Sequence, residues 1–254
     1  MQSIAETKSP NTIHRLSVLI HQDGLSFYIH TGARLEGSIS RSFKHAANPI
    51  EILKSIEECY QKESSLNQDF EEVKLIYHHE VFTLVPKELF QEAHAADYLK
   101  YNTRLLKTDT ISVDDSIPRT DANLVYVAYS NINNYFYEKY GDYSYFHYST
   151  LSLPLLGQME DGLFIEVLDS HFYLTLFQEG KLKAHNLFQH EAVEDILFYT
   201  LYAAKQNQLD PEIVRVTILQ KAENKELFDL LYTYVREVIV LPDYSNYRSQ
   251  ILCA

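Results

Sequence analysis

Leu16–Phe43 runs LSVLIHQDGLSFYIHTGARLEGSISRSF, three blocks in which apolar and polar residues alternate, broken at Asp23-Gly24 and at Thr31-Gly32. Alternation with a period of two is the pattern of a half-buried strand, and Asp-Gly and Thr-Gly are turn chemistry. The stretch therefore predicts an antiparallel three-strand meander. Asn48-Pro49-Ile50-Glu51 follows, placing an N-cap, a proline in the first helical turn and a capping-box glutamate before the stripe Ile52, Leu53, Ile56 and Tyr60. That helix ends near Glu63. Val73–Tyr77 and Val81–Val85 then alternate again, the second stopped by Pro86, so the order is βββαβ.

The same plan returns about 145 residues later in Leu163–Phe188, LFIEVLDSHFYLTLFQEGKLKAHNLF. Asp169 takes the place of Asp23, and Phe188 that of Phe43. A helix over Ala192–Gln206 and a strand over Val214–Leu219 follow in the same order, and Glu226-Leu227-Phe228 echoes Glu88-Leu89-Phe90. A last amphipathic helix is predicted near Glu226–Val235. Between the repeats, Ala95–Leu153 has no evident counterpart and reads as an inserted subdomain. It has strands at Asn123–Tyr129 and Tyr143–Thr150, a helix from Asn131 to Tyr140, and an exposed linker at Thr108–Thr120. The expected division is a flexible N-terminus (1–14), a first half (15–156) carrying the insert at about 95–153, a second half (157–243) and a C-terminal tail (244–254).

A duplicated βββαβ unit, with an aspartate in the first turn of each half, resembles the actin, hexokinase and heat-shock-protein-70 (ASKHA) superfamily. The fold class this implies is α/β, in the actin-like ATPase, ribonuclease-H-like two-domain architecture. The segments DGLSF (23–27), VPKELF (85–90), ADYLKYN (96–102) and EDILFYTLYAAKQ (194–206) also look like an uncharacterised bacterial family of unknown function. The layout is similar to the smaller cytoplasmic superfamily members that assemble with pilus, secretion or division machinery.

The resemblance implies a cleft between the halves in which two hairpins hold magnesium and phosphate. Its cofactor-binding positions fall on Asp23 and Gly24 in the first hairpin and on Asp169 and Ser170 in the second. This chain departs from the superfamily there. Ser170-His171 stands where a glycine pair would let backbone N–H groups approach phosphates, and Gln220–Asn224 stands in place of a glycine-rich adenosine turn. The expectation is thus a non-catalytic scaffold or adaptor without cofactor. The alternative is an enzyme or switch that binds Mg-ATP or another phospho-ligand in the cleft between the halves, using Asp23 and Asp169 for magnesium.

Other chemistry is sparse. There is no GxSxG, GxGxxG or GxxxxGK[ST], and the seven glycines never group that way. His78 and Glu80 share a strand face without a third ligand at metal spacing, so no metal site is expected, and His185 and His190 read as surface histidines. Eight tyrosines lie between Tyr126 and Tyr148. Tyr135, Tyr137, Tyr140, Tyr143 and Tyr145 are interface candidates, with an ordinary core role open beside that one. The helix at Ala192–Gln206 is apolar nearly all round, which points to burial or to an interface.

Composition bounds the partners. A chain of 254 residues, 46% hydrophobic and 22% charged, with a net charge of −13, folds compactly and repels phosphate backbones and anionic membranes. The longest apolar run, Leu124–Tyr129, is far short of the ~20 residues of a membrane helix. Two distant cysteines make no disulfide framework, and a reducing cytoplasm fits them. The partner expected is another protein or a second copy, without nucleic acid and without membrane insertion.

Overall fold

The structure, a computed structural model, describes residues 13–253 apart from 22, 33, 46, 102, 107, 108, 116 and 223. The expected flexible N-terminus lies almost wholly outside these residues. The meander forms as predicted: β1 (His14–His21), β2 (Gly24–Thr31) and β3 (Arg34–Ser42) pair antiparallel. Then α1 (Pro49–Lys62) starts at Asn48, whose side chain accepts from the Ile50 and Glu51 backbones while Glu51 reaches back to the Asn48 N–H. It buries Ile52, Ile56, Cys59 and Tyr60 against the sheet. The crossover delivers β4 (Glu72–His78) parallel to β1.

Here the chain leaves the sheet. β5 (Phe82–Pro86), α2 (Ala95–Lys100), β6 (Thr110–Asp114) and β7 (Ala122–Ala128) make a small domain with strand order β5-β7-β6. It has its own core of Val85, Ala95, Leu99, Val125 and Val127. The chain then returns through α3 (Ser130–Tyr140) to β8 (Ser144–His147), parallel to β4, and on to α4 (Tyr148–Leu156).

The second half repeats this route without the excursion. It contains β9 (Gly162–Val167), β10 (His171–Gln178), β11 (Lys181–Gln189), α5 (Val193–Gln206), β12 (Arg215–Leu219), α6 (Lys225–Tyr232), β13 (Glu237–Val240) and α7 (Tyr244–Cys253). The sheets are superposable in order, β3-β2-β1-β4-β8 and β11-β10-β9-β12-β13.

Five expectations change. The insert runs from β5 to β7, because α3, β8 and α4 are the first half's counterparts of α6, β13 and α7. The echo of Glu88-Leu89-Phe90 in Glu226-Leu227-Phe228 therefore links elements that are not topologically equivalent. The strand expected over Tyr143–Thr150 stops at His147, because tertiary contacts start a helix there. Asp114 of β6 accepts from the His147 N–H at 2.9 Å and the Thr150 hydroxyl at 2.6 Å, and His147 Nδ1 accepts from the Ser149 N–H. Part of the expected linker Thr108–Thr120 is the strand β6, paired along β7, and Ile117 is buried. The expected C-terminal tail is the helix α7, which buries Tyr247, Ile251 and Leu252 in the first half's core.

Candidate functional site

Parallel strands end together, and in both halves they end at one cleft. A cavity of about 740 Å³ opens there between the halves. It is lined by the tip of β1-β2 (His21, Asp23, Gly24), the tip of β9-β10 (Asp169, Ser170, His171), the end of β4 (His78, His79, Glu80), Lys221 after β12, and one face of α7 with Tyr244 and Arg248. The four residues placed at phosphate hairpins by sequence thus meet at one site.

Their local geometry is unlike a phosphate cradle. A β-carbon on Gly24 would come within 2.8 Å of the Arg41 carbonyl oxygen, so glycine is demanded by the neighbouring strand β3. Ser170 donates its hydroxyl to Asp23 at 3.2 Å, joining the two hairpin tips, and His171 Nδ1 lies 2.8 Å from the same hydroxyl. After β12, Gln220 is 7% exposed with neither amide atom paired among the described residues. A buried glutamine followed by Lys221 fills the place where the superfamily resemblance calls for glycines. The side chains present do not fit a magnesium–triphosphate group.

Imidazoles occupy the inner wall. His78 and His21 meet Nδ1 to Nδ1 at 2.6 Å, so one ring donates and the other accepts. Burial pushes His21 down to about 4, and the nearby Arg248 guanidinium adds to it. Burial also holds His78 well below the usual histidine range, with His21 and Arg248 adding to the effect. Both rings are neutral at pH 7. His78 packs between Tyr148 and Tyr173 at 4.5 and 5.4 Å between ring centres. Glu80 is exposed just beyond the end of β4, and the described residues contain no group of three metal-ligating side chains.

Behind this wall lies the junction of the halves. Glu166 of β9, 2% exposed, accepts from Tyr148 of α4 and from Tyr244 and Tyr247 of α7, with Arg248 at 3.8 Å. Burial raises the Glu166 carboxyl, opposed by Arg248 and the three hydroxyls. A second bridge joins Ser149 to His185 Nε2 at 2.7 Å and His185 Nδ1 to Thr175 at 2.8 Å. His185 is thus 8% exposed and not on the surface, because β11 faces the first half at that point. His190 is half-buried, its Nε2 3.1 Å from the Leu168 carbonyl oxygen. Sequence reading passed over Glu166, although an acid inside LFIEVL was a visible signal.

The tyrosine-rich segment mostly serves the first core. Tyr140 meets Tyr60 hydroxyl to hydroxyl at 2.9 Å and Tyr143 donates to the Asn133 carbonyl oxygen, while Tyr135 and Tyr145 pack partly buried beside them. Among the five candidates only Tyr137 stands well exposed, at 66%. α5 buries Ile196, Thr200 and Ala204 but leaves Phe198 and Tyr202 exposed and stacked on each other.

A family model described as protein of unknown function (DUF3822) matches residues 6–238. The chain belongs to this family. Among solved structures, the chain is similar to a Bacteroides thetaiotaomicron protein with an actin-like ATPase fold and unknown function (TM-score 0.79, 17% identity, 94% of this chain and 96% of that one). It is also similar to the ethanolamine utilization protein EutJ from Carboxydothermus hydrogenoformans (TM-score 0.50, 8% identity, 97% and 90%). A third similarity is to the PilM–PilN type IV pilus biogenesis complex (TM-score 0.53, 12% identity, 92% and 90%). No curated protein matches the chain. This DUF3822 member has the actin-like ATPase fold, as the repeat implied, and no helix among its described residues is long and apolar enough to cross a membrane.

Proposed function

We propose that this DUF3822 protein is a non-catalytic scaffold or adaptor that keeps the actin-like fold and acts by binding another protein or a second copy of itself. The observation that carries the reading is the Ser170–Asp23 hydrogen bond across the cleft, made where glycines would be needed for phosphate. The exposed stacked pair Phe198 and Tyr202 supports a protein-binding role, as does the similarity to a pilus protein solved with a protein partner. Two free cysteines support a reducing cytoplasm, and the net charge of −13 argues against nucleic acid.

The test is thermal unfolding with and without millimolar Mg-ATP, with ADP and GTP alongside. A ligand at a hundred times its Kd stabilises by ~2.7 kcal/mol, a rise of several degrees at this size. No shift is expected, and a reproducible one would overturn the reading. In that event Asp23 and Asp169, which line one cavity, become the magnesium candidates. Asp23→Asn and Asp169→Asn would then have to abolish the shift.

A further inference from the structure

Charge is ordered along the cleft from floor to rim. On the floor, Arg248 of α7 keeps 17% of its side chain exposed. Its Nη1 donates to the Tyr148 hydroxyl at 3.0 Å and stands 3.8 Å from Glu166. Among the described residues no acceptor engages Nε or Nη2, and the side chain lines the cavity. A guanidinium carries five N–H donors in a planar fork, so the side chain that lines the cleft keeps an edge with no partner among the described residues. Next come His21 and His78. Since each uses Nδ1 for the other, the Nε2 of the partly buried His21, which lines the cavity, lies outside that pair.

At the rim stand the exposed carboxylates Asp23 and Asp169, one from each half. Two other cations line the cavity, Arg41 and Lys221. Arg41 is held by Glu58 at 2.8 Å, and Lys221 is exposed. The cavity therefore carries the mostly buried Arg248 fork, two neutral imidazoles, and at its exposed positions the carboxylates Asp23, Asp169 and Glu80 with the ammonium of Lys221.

We propose that the cleft binds a small zwitterion of the amino-acid class, its carboxylate on the Arg248 fork and its ammonium against Asp23 and Asp169. A carboxylate matches the fork with two parallel hydrogen bonds. Inorganic phosphate or a nucleotide tail would bring a second negative charge towards both rim carboxylates. The volume of about 740 Å³ suits a small molecule, and Tyr28 and Tyr244 supply aromatic wall for its side chain. Such a ligand touches α7 and both hairpins, so its binding fixes the two halves together. This goes beyond the adaptor reading and does not depend on it.

The experiment is calorimetric titration and thermal unfolding of the whole protein with each of the twenty common L-amino acids. Propionate and ethylamine serve as the two halves of alanine, and inorganic phosphate is included. At least one amino acid should raise the midpoint by about 5 °C near saturation, with propionate, ethylamine and phosphate inert. Asp23→Asn, at an exposed position, should weaken that amino acid about tenfold, and Arg248→Lys should do the same by removing the fork while keeping the charge. If Arg248→Lys fails to fold, Asp23→Asn decides. The proposal is overturned if no amino acid binds, if phosphate or propionate binds as well as the best amino acid, or if Asp23→Asn leaves the affinity unchanged.

Discussion

Mild acid should destabilise this protein through its buried histidines, and two of them set a magnitude. His79 is 2% exposed and His185 8% exposed. Burial holds His79 at about 4 and His185 at about 3, against 6.5 for a free imidazole. His79 Nε2 lies 2.9 Å from the Val127 carbonyl oxygen, and His185 bridges Thr175 and Ser149. Because their folded values lie below the unfolded one, the unfolded chain binds the extra protons, and stability is lost as pH falls below 6.5. At pH 5, 1.5 units below the unfolded value, each contributes a loss of ~2 kcal/mol, or ~4 kcal/mol for the pair, against a typical total of 5–15 kcal/mol. Glu166 and Asp114, raised by burial, act in the opposite sense and stabilise the fold as pH falls through their folded values. Denaturant titrations at pH 7, 6 and 5 read the sum directly. The midpoint should fall steeply, and His79→Gln with His185→Gln should flatten the slope. A stability that is level or rising from pH 7 to 5, or a slope unchanged in the double variant, would refute the reasoning.

Glu166→Gln should cost about 1–3 kcal/mol, since it weakens the acceptor of three tyrosine hydroxyls and removes the counter-charge 3.8 Å from Arg248. Adding Arg248→Met should recover part of that loss in a double-mutant cycle read by denaturant unfolding. Gly24→Ala places a methyl 2.8 Å from the Arg41 carbonyl oxygen, so it should cost about 1–3 kcal/mol and lower Tm even though the residue stands at the very start of β2. Phe172→Ala, in the second core, should cost about 3–5 kcal/mol. Phe198→Ala, at 62% exposure, should stay within about 1 kcal/mol. Equal losses in the two would show that α5 does not present Phe198 outward.

The meander strands, the capped start of α1 and the repeat were legible because each is written in neighbouring residues. Asn48 and Glu51 satisfy each other three positions apart, and the alternation in Leu16–Phe43 repeats every second residue. Bringing Asp23, Gly24, Asp169 and Ser170 to one cleft was legible too, through the repeat. The roles of those residues were not. Gly24 answers to Arg41 on the next strand, and Ser170 answers to Asp23 from 147 positions away. The tyrosine-rich segment showed its composition but not its direction, which Tyr60 and Asn133 decide.

What the sequence determined by itself was the order of the elements and their duplication, since strand alternation, helix caps and turn residues act within one or two turns of chain. Tertiary structure decided which strands close each sheet, where the insert begins and ends, and that the last segment is a helix lining the cleft. The physical reason is the cost of burying a polar group alone. Glu166 is stable in the interior only because Tyr148, Tyr244 and Tyr247 reach it, from 18 to 81 residues along the chain. α4 begins at His147 because Asp114, from another domain, is there to accept its N–H.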